Sequence, residues 1–349
     1  MKTIVTKTLA VMALLSLTAT ASTARSWRIN NDVTKKADFT DLNAAMSSAD
    51  VMAGDTLYMD PGCNLSSKQT VNKRVTIVGS GYFRNDAPHR LVTISGKLYL
   101  TAQHIKVEGI AITGTTYLCS DYITVERCKA GNIYINENWN TAAAQFATIR
   151  QCYATGVHGG SSPSNYPNKT SFATIENCIL ISSNTPVSSL YSPTIRNCYL
   201  KYSGTSTSAS VASLSSIDNA SITNNIILRN SVPSNVLYDV SNSVISNNVM
   251  SCTETTYSDI GENRYLDSAD ESLVFALEGI NDQRYQLKAD SPAKGYATEG
   301  GDCGPFGGLY PYVIGGKPKG YPYYTKAVIG TRAEDGKVSV SLNIKMQDE

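Results

Sequence analysis

A short phrase of alternating apolar and polar residues returns along the middle of the chain. Its copies read ITVERC, ATIRQC, ATIENC, PTIRNC, SITNNI and SVISNN. One position, the anchor position, can be followed through every copy, and successive anchors lie 20 to 27 residues apart. The anchor residues are Cys128, Cys152, Cys178, Cys198, Asn225 and Asn248. A repeat of this length indicates one supersecondary unit stacked on copies of itself, which predicts a solenoid of short strands.

The phrase contains an interior part. Three residues before the anchor the column is aliphatic, which predicts a stack of inward side chains. This column consists of Val107, Val125, Ile149, Ile175, Ile195, Ile222 and Ile245. The anchor cysteines are expected beside it as buried, unbridged thiols, because cysteine is among the most buried residue types.

The residue before the anchor is predicted to form a bend between two strands. Gly79 and Gly109 hold this position in early rungs, Arg127 and Gln151 hold it in the next two, and asparagine holds it in the last four. Glycine and asparagine adopt the left-handed backbone conformation at low cost. We expect a structural ladder in which each asparagine bonds to those above and below it. Its members are Asn177, Asn197, Asn224 and Asn247.

Between the aliphatic column and the bend, the charge alternates from Glu126 through Arg150 and Glu176 to Arg196. Stacking in register predicts an ion-pair ladder on the exterior, where each exposed pair contributes about 0–1 kcal/mol. We expect this column to favour the correct register and solubility. A substrate-binding stripe is the alternative.

The two ends of the chain have patterns of their own. Leu42, Ala45, Met46 and Ala49 follow Asp41 on one helical face, and this short helix is expected to cap the first rung. Near the C-terminus, strict alternation to Met346 after an Asp-Gly turn predicts a hairpin, which would cover the end of the stack or form a small β-domain. The predicted organisation is a signal peptide (1–24), an N-terminal cap (25–62), the solenoid (63–310) and a C-terminal tail with the hairpin (311–349).

Each rung is also expected to contain a strand outside the recurring phrase. Candidates are NIYIN (132–136), VSSL (187–190), VASLS (211–215) and NVLYDV (235–240). The longest intervening loop, 157–171, is rich in Gly, Pro, Ser and Asn. Variable loops along one face are where solenoids tend to place binding residues.

The N-terminus has the pattern of a secretory signal. Lys2 and Lys7 precede an apolar run, and small residues allow cleavage after Ala21 or Ala24. No cysteine follows this run at the cleavage site, and no other stretch is long enough to span a bilayer. We therefore expect an exported protein, either secreted, periplasmic or at the cell surface. A net charge of +1 with 17% charged residues argues against a nucleic-acid partner.

The helix followed by GDTLYMDPG, the repeated phrases and the tail SPAKGYATEGGDCGPFGG together resemble the right-handed parallel β-helix, or pectin-lyase-like, superfamily. The resemblance covers roughly residues 37–310 and implies an all-β, single-stranded β-helix. The tail is similar to exported β-helix proteins of Bacteroidetes that handle polysaccharide. The likeness is specific for the fold and weak for activity, because this architecture has many uses.

The resemblance implies two kinds of catalytic group to look for. Lyases of this superfamily neutralise a uronate, often with Ca²⁺ held by clustered acidic residues, and use an Arg or Lys base. Hydrolases use paired Asp or Glu residues on neighbouring rungs. Neither constellation is evident in the sequence, and no resident metal or cofactor is expected unless the protein is a Ca²⁺-dependent lyase.

The densest group of candidate ligand-binding residues lies in and after the NIYIN strand and in the long loop. Aromatic rings there could stack on sugars, and amide and carboxylate groups could bond hydroxyls; the histidine could serve as an acid or base. The alternative is that these residues have no role in binding: the tryptophan packs a loop against the stack, and the histidine is a surface residue. The group consists of Tyr134, Asn136, Glu137, Asn138, Trp139, His158, Tyr166 and Lys169.

Three functions remain open from the sequence. The first is an exported β-helix protein that binds or presents polysaccharide without strong catalysis. The second is a polysaccharide lyase or glycoside hydrolase, and the third is a structural or adhesin protein.

Overall fold

Each copy of the recurring phrase contributes one strand to the first face of a stack. The computed structural model describes residues 23–83, 91–136, 144–159, 171–208, 210–230, 235–252, 261–279, 281–317, 322–329 and 339–346. Within these ranges, short parallel strands stack in three faces along one axis, and the chain is a parallel β-helix. The first face consists of Ser26–Ile29, Thr56–Met59, Thr76–Val78, Lys106–Glu108, Thr124–Glu126, Thr148–Arg150, Thr174–Glu176, Thr194–Arg196, Ser221–Thr223 and Val244–Ser246.

The second and third faces share one sheet, because the long strands Lys129–Ile135 and Tyr153–Gly159 run through both. The second face also contains Asn64–Leu65, Thr93–Ile94, Ala111–Ile112, Ile179–Ser182, Tyr199–Tyr202, Ile226–Arg229, Val249–Met250 and Arg264–Tyr265. The third face also contains Gln69–Val71, Leu98–Leu100, Thr116–Leu118, Val187–Tyr191, Leu214–Asp218 and Leu237–Ser241.

The aliphatic column lies inside the stack in register. Val125 pairs with Val107 and Ile149, and all three side chains are fully buried. Two third-face strands begin later than the expected 211–215 and 235–240. They begin at Leu214 and Leu237, because these residues continue the inward column of the rungs before them.

The anchor residues form a hydrogen-bonded interior column. The Cys152 thiol donates to the carbonyl oxygens of Arg150 at 3.2 Å and of Val125 at 3.4 Å, and the other anchor cysteines repeat this pattern. The cysteines are unbridged. Where asparagine takes over, Asn225 Nδ2 donates to Asn248 Oδ1 at 3.0 Å, and Asn248 Nδ2 donates to Asn263 Oδ1 at 3.0 Å. The Asn-to-Asn ladder therefore lies at the interior anchor position and not at the bend, where it was expected.

The stack begins earlier in the chain than the expected residue 63. Ser26–Ile29 pairs in register with Thr56–Met59 as the first strand of the first face, inside the segment assigned to the cap. In the sequence, the helix Leu42–Ser47 falls between these two strands. The Asp41 carboxylate caps the helix by accepting a hydrogen bond from the Ala44 N–H at 2.7 Å. Short sequences such as SWRI carry too little periodicity to reveal a strand alone.

The stack also ends earlier than residue 310, because Arg264–Tyr265 is its last strand in the described part. The chain then turns back along the outside of the second face, through 3₁₀ turns at Glu271–Leu273, Asn281–Tyr285, Thr298–Gly300 and Ile314–Gly316. Phe275 and Tyr285 pack on Tyr199 of the second face and form a second apolar core. The loop-rich segment is thus a cover for one face.

Residues 296–317, the strap, cross the bend column from its last rung towards its first. The side chains of the bend residues contact successive parts of the strap. The expectation that the bend asparagines bond to one another is therefore wrong, because they bond to the strap. Asn177 Nδ2 donates to the carbonyls of Pro305 at 2.9 Å and Gly307 at 2.6 Å. The remaining pairs are Asn247 with Tyr296, Asn224 with Thr298, Asn197 with Asp302, Gln151 with Pro311 and Arg127 with Lys317.

The left-handed conformation expected at the bend is present. The φ angles of Asn177, Asn197, Asn224 and Asn247 lie between 50° and 62°. Beyond the strap, Pro322–Ile329 and Val340–Met346 form a separate antiparallel pair of strands.

Candidate functional site

The third face carries an outward column of polar and aromatic side chains. Tyr134 pairs with Tyr117 on one side and His158 on the other, and His158 pairs with Ser188. The strand neighbours of Tyr134, Ile133 and Ile135, point inward, so Tyr134 is the outward side chain between them. The column, called the third-face column, consists of Tyr117, Tyr134, His158, Ser188, Ser215 and Tyr238.

The aromatic rings of this column stack on one another. The ring centroids are 5.7 Å apart between Tyr117 and Tyr134 and 5.2 Å apart between Tyr134 and His158. Tyr99 extends the stack by a further ring at 4.8 Å, and the Lys68 ammonium lies 4.1 Å from the Tyr99 centroid. Tyr117 and His158 thus occupy both faces of the Tyr134 ring. The expectation that a sugar stacks on this ring is therefore wrong. The ring can offer only its edge and hydroxyl group.

His158 is held as a neutral ring. Its Nδ1 lies 2.9 Å from the Ser188 hydroxyl oxygen. Burial lowers the pKa of His158 from 6.5 to about 4, because the charged form is poorly solvated there. The imidazole is therefore uncharged near neutral pH and is a poor general acid under those conditions, contrary to one of the roles considered for it.

Asn136 has a structural contact that its sequence position did not reveal. It is buried with a φ of 95°, and its side-chain oxygen accepts from the Ala144 N–H at 2.7 Å. It thereby joins the two ends of the segment 137–143. Glu137, Asn138, Trp139, Tyr166 and Lys169 lie outside the described residues. Their segments start next to the third-face column, after Asn136 and Gly159 respectively.

A second aromatic column lies at the bend from the third face to the first. His104, Tyr122, Phe146 and Phe172 stack at centroid distances of 4.9 to 5.3 Å, and all four have positive φ angles. The rings of Tyr122, Phe146 and Phe172 remain partly exposed. Each residue stands two positions before the first strand residue of the phrase, a signal that was available in the sequence and was missed.

The charged column of the first face is less exterior than expected. Glu108, Glu126 and Glu176 are only 6%, 7% and 3% exposed. Arg196 Nη2 contacts Glu176 Oε2 at 2.6 Å, and the Tyr310 ring of the strap lies over the Arg150 guanidinium at 4.3 Å.

Electrostatics within this column favour its ionised form. Burial by itself would raise the pKa of Glu126, but Lys106, Arg150 and Arg127 outweigh it and hold that pKa below its ordinary value. The charged residues of this column form ion pairs with one another, which favours a structural role over a substrate-binding stripe.

A cavity of about 440 Å³ lies beside the end of the second face. Lys201 Nζ contacts Glu271 Oε1 at 2.9 Å, and the Tyr199 hydroxyl donates to the same oxygen. The Asp270 carboxylate accepts from the Ser272 N–H at 2.9 Å. The cavity is lined by Lys201, Asn230, Asp267, Ser268, Ala269, Asp270, Glu271 and Leu277. No sequence signal pointed to it, because most of its lining lies in the segment that follows the repeat.

Metal and membrane sites were also considered. Within the described ranges, no three His, Cys, Asp or Glu residues form a group that could hold a metal ion, so those residues do not fit the Ca²⁺ that a lyase of this superfamily would imply. None of the helices in the same ranges combines the length and apolar character needed to cross a bilayer.

Comparisons with known proteins leave the chain without a family. No family model matches it, and no curated protein matches it at a significant level. Among solved structures, the native GH136 lacto-N-biosidase from Eubacterium ramulus matches with a TM-score of 0.44 at 12% identity, covering 65% of this chain and 57% of that one. Its selenomethionine derivative matches with a TM-score of 0.44 at 10% identity, covering 71% and 60%. The chain thus spans less than two thirds of that enzyme, and a likeness this distant assigns no activity.

Proposed function

We propose that this protein is exported and binds a polysaccharide along its third face, without strong catalysis of its own. The observation that carries the proposal is the third-face column, in which Tyr117, Tyr134, His158 and Ser188 stand in register on successive rungs. The second face and its adjoining bend are covered by the C-terminal segment, so they offer no comparable surface.

Hydroxyl and imidazole groups suit a sugar ligand, because each can donate or accept a hydrogen bond. Ring stacking holds the side chains in place before a ligand arrives, which reduces the rotamer entropy lost on binding. The proposal retains Glu137, Trp139, Tyr166 and Lys169 as further contacts, since their segments begin beside the column. Free ring faces for sugar stacking would have to come from residues outside the third-face column, because the rings of the column stack on one another.

The proposal is tested by binding the purified protein to a panel of plant, algal, bacterial and host polysaccharides. Tyr134→Ala is expected to weaken binding at least tenfold, and Tyr134→Phe, which removes only the hydroxyl group, by about two- to tenfold. Tyr58→Ala is the matched control, because Tyr58 is an exposed tyrosine on the first face. Failure to bind any polysaccharide would refute the proposal and favour a structural or adhesin role.

Glycoside hydrolysis is the second candidate, and the carboxylates of Asp267, Asp270 and Glu271 around one cavity favour it. Cleavage of a glycosidic bond needs one carboxyl group as acid and another as base or nucleophile. Release of reducing ends from the same panel, lost in Glu271→Gln and kept in Tyr134→Phe, would establish hydrolysis at the cavity. Products with unsaturated ends would instead indicate a lyase.

A further inference from the structure

The third-face column runs along the axis of the stack, and this sets the direction in which a glycan would bind. Within the central rung, Tyr134 is flanked by the buried residues Ile133 and Ile135, so the outward side chains nearest to it in register are Tyr117 and His158 of the neighbouring rungs. Along the axis, the next outward groups follow at every rung, with ring centroids 5.7 and 5.2 Å apart. Rungs stacked about 4.8 Å apart are close to the length of one sugar in an extended chain.

The charge of the third face limits which glycans fit. Apart from Lys129, which lies at the second-face end of the long strand Lys129–Ile135, its described strands contain two charged residues, Asp218 and Asp239, and both are acidic. The Asp218 carboxylate accepts from the Ser241 hydroxyl and the Asn242 amide, while Asp239 is exposed. The nearest cation at the other end, Lys68, lies over the Tyr99 ring. Along the described third-face strands, a chain of uronates would find no row of cations to pair with and would meet two carboxylates.

We infer that the third face selects a neutral, extended glycan lying parallel to the axis of the stack, with one sugar to each rung, and disfavours acidic polysaccharides. This inference rests on the proposed function. The column spans six rungs from Tyr117 to Tyr238, and Tyr99 on the rung before them is only 6% exposed, so contacts should accumulate over about six sugars. Hydrogen bonds between uncharged groups are little affected by salt, whereas recognition of a polyanion would be screened.

The first experiment compares neutral linear polysaccharides (cellulose, xylan, mannan and mixed-linkage glucan) with polygalacturonate, alginate and hyaluronan. We expect binding to at least one neutral chain, with less than a twofold change in affinity between low and high salt. Binding confined to acidic chains, or tenfold weaker at high salt, would overturn the inference while leaving glycan binding itself intact. No binding to any glycan would refute the proposed function instead.

The second experiment uses oligosaccharides of two to eight sugars from whichever neutral chain binds. Affinity is expected to rise about two- to tenfold with each sugar and to level off near six. Tyr238→Ala should weaken only the longer oligosaccharides, because Tyr238 ends the column, whereas Tyr134→Ala should weaken all that reach the centre. Equal affinity for two and six sugars, or an equal effect of Tyr238→Ala at every length, would contradict axial binding.

Discussion

The anchor cysteines are small core residues whose thiols are already engaged. In each rung the sulfur lies near the carbonyl oxygen of the residue two positions earlier and near one in the preceding rung, as Cys178 does with Glu176 at 3.2 Å and Ile149 at 3.5 Å. Where asparagine replaces cysteine, the side-chain amide likewise donates to a backbone carbonyl of the preceding rung: Asn225 donates to Ile195 and Asn248 donates to Ile222. In these six rungs the anchor side chain is therefore small and carries a donor that reaches the backbone.

The buried thiols should be chemically inert in the native protein. Burial raises the pKa of Cys128, Cys152 and Cys178 well above its ordinary value, and that of Cys252 and Cys303 to about 12. Because the thiolate is the reactive form, a chromogenic disulfide reagent should modify only about one thiol per native chain and about eight in denaturant.

Cys119, which is partly exposed whereas the other seven cysteines are buried, should be the reactive residue. Cys119→Ala should remove the native reaction, and Cys178→Ala should leave it unchanged. Rapid modification of two or more thiols in the native protein would contradict the buried column.

At the scale of an element, the strap depends on the bend residues as much as on its own sequence. Asn177 has a φ of 51° and donates two hydrogen bonds to the strap, so it meets a conformational and a bonding requirement together. Asparagine satisfies both, whereas glycine satisfies the first only. Bend residues with polar side chains, from Arg127 and Gln151 to the four asparagines, therefore occupy the rungs where the bend bonds to the strap.

The two requirements can be separated by substitution at Asn177. Asn177→Ala should lower the free energy of unfolding by about 2–4 kcal/mol, the sum of a left-handed alanine and two strap carbonyls left without a donor. Asn177→Gly should lower it by about 1–2 kcal/mol, because only the hydrogen bonds are lost. Urea denaturation measures both values, and equal losses would show that the backbone conformation contributes little.

At the scale of the whole molecule, the strap decides which surfaces remain available to a ligand. It packs close to the stack at glycines, and a Cβ at Gly316 would lie 2.1 Å from the Tyr82 ring and 2.5 Å from the Arg127 carbonyl oxygen. Gly300 also has a positive φ, of 80°, but a Cβ there would meet nothing within 4 Å. The two glycines therefore share a backbone requirement and differ in packing.

This difference predicts how the strap can be released. Gly316→Ala should loosen the strap from the stack, seen as faster proteolysis within 296–317 and increased binding of a hydrophobic dye to the uncovered second face. Gly300→Ala should cost only about 1–2 kcal/mol of left-handed strain and leave both signals near those of the wild type. Similar behaviour of the two variants would show that close packing at Gly316 does not hold the strap.

The periodic sequence by itself determined the stacked strands, the aliphatic interior and the left-handed bend. Each rung contacts mainly its neighbours, so the same position in every rung has the same surroundings and takes similar residue types. It also pointed to Tyr134 and His158, which the structure brings together. Tertiary structure alone decided that the bend residues hold the strap, since Arg127 and Lys317 are 190 positions apart and belong to no shared period. It also decided that the ring faces of the third-face column are occupied and that the second face is covered. Contacts between a repeat and a non-repeating segment leave no regular spacing, so packing in three dimensions was needed to reveal which face remains open.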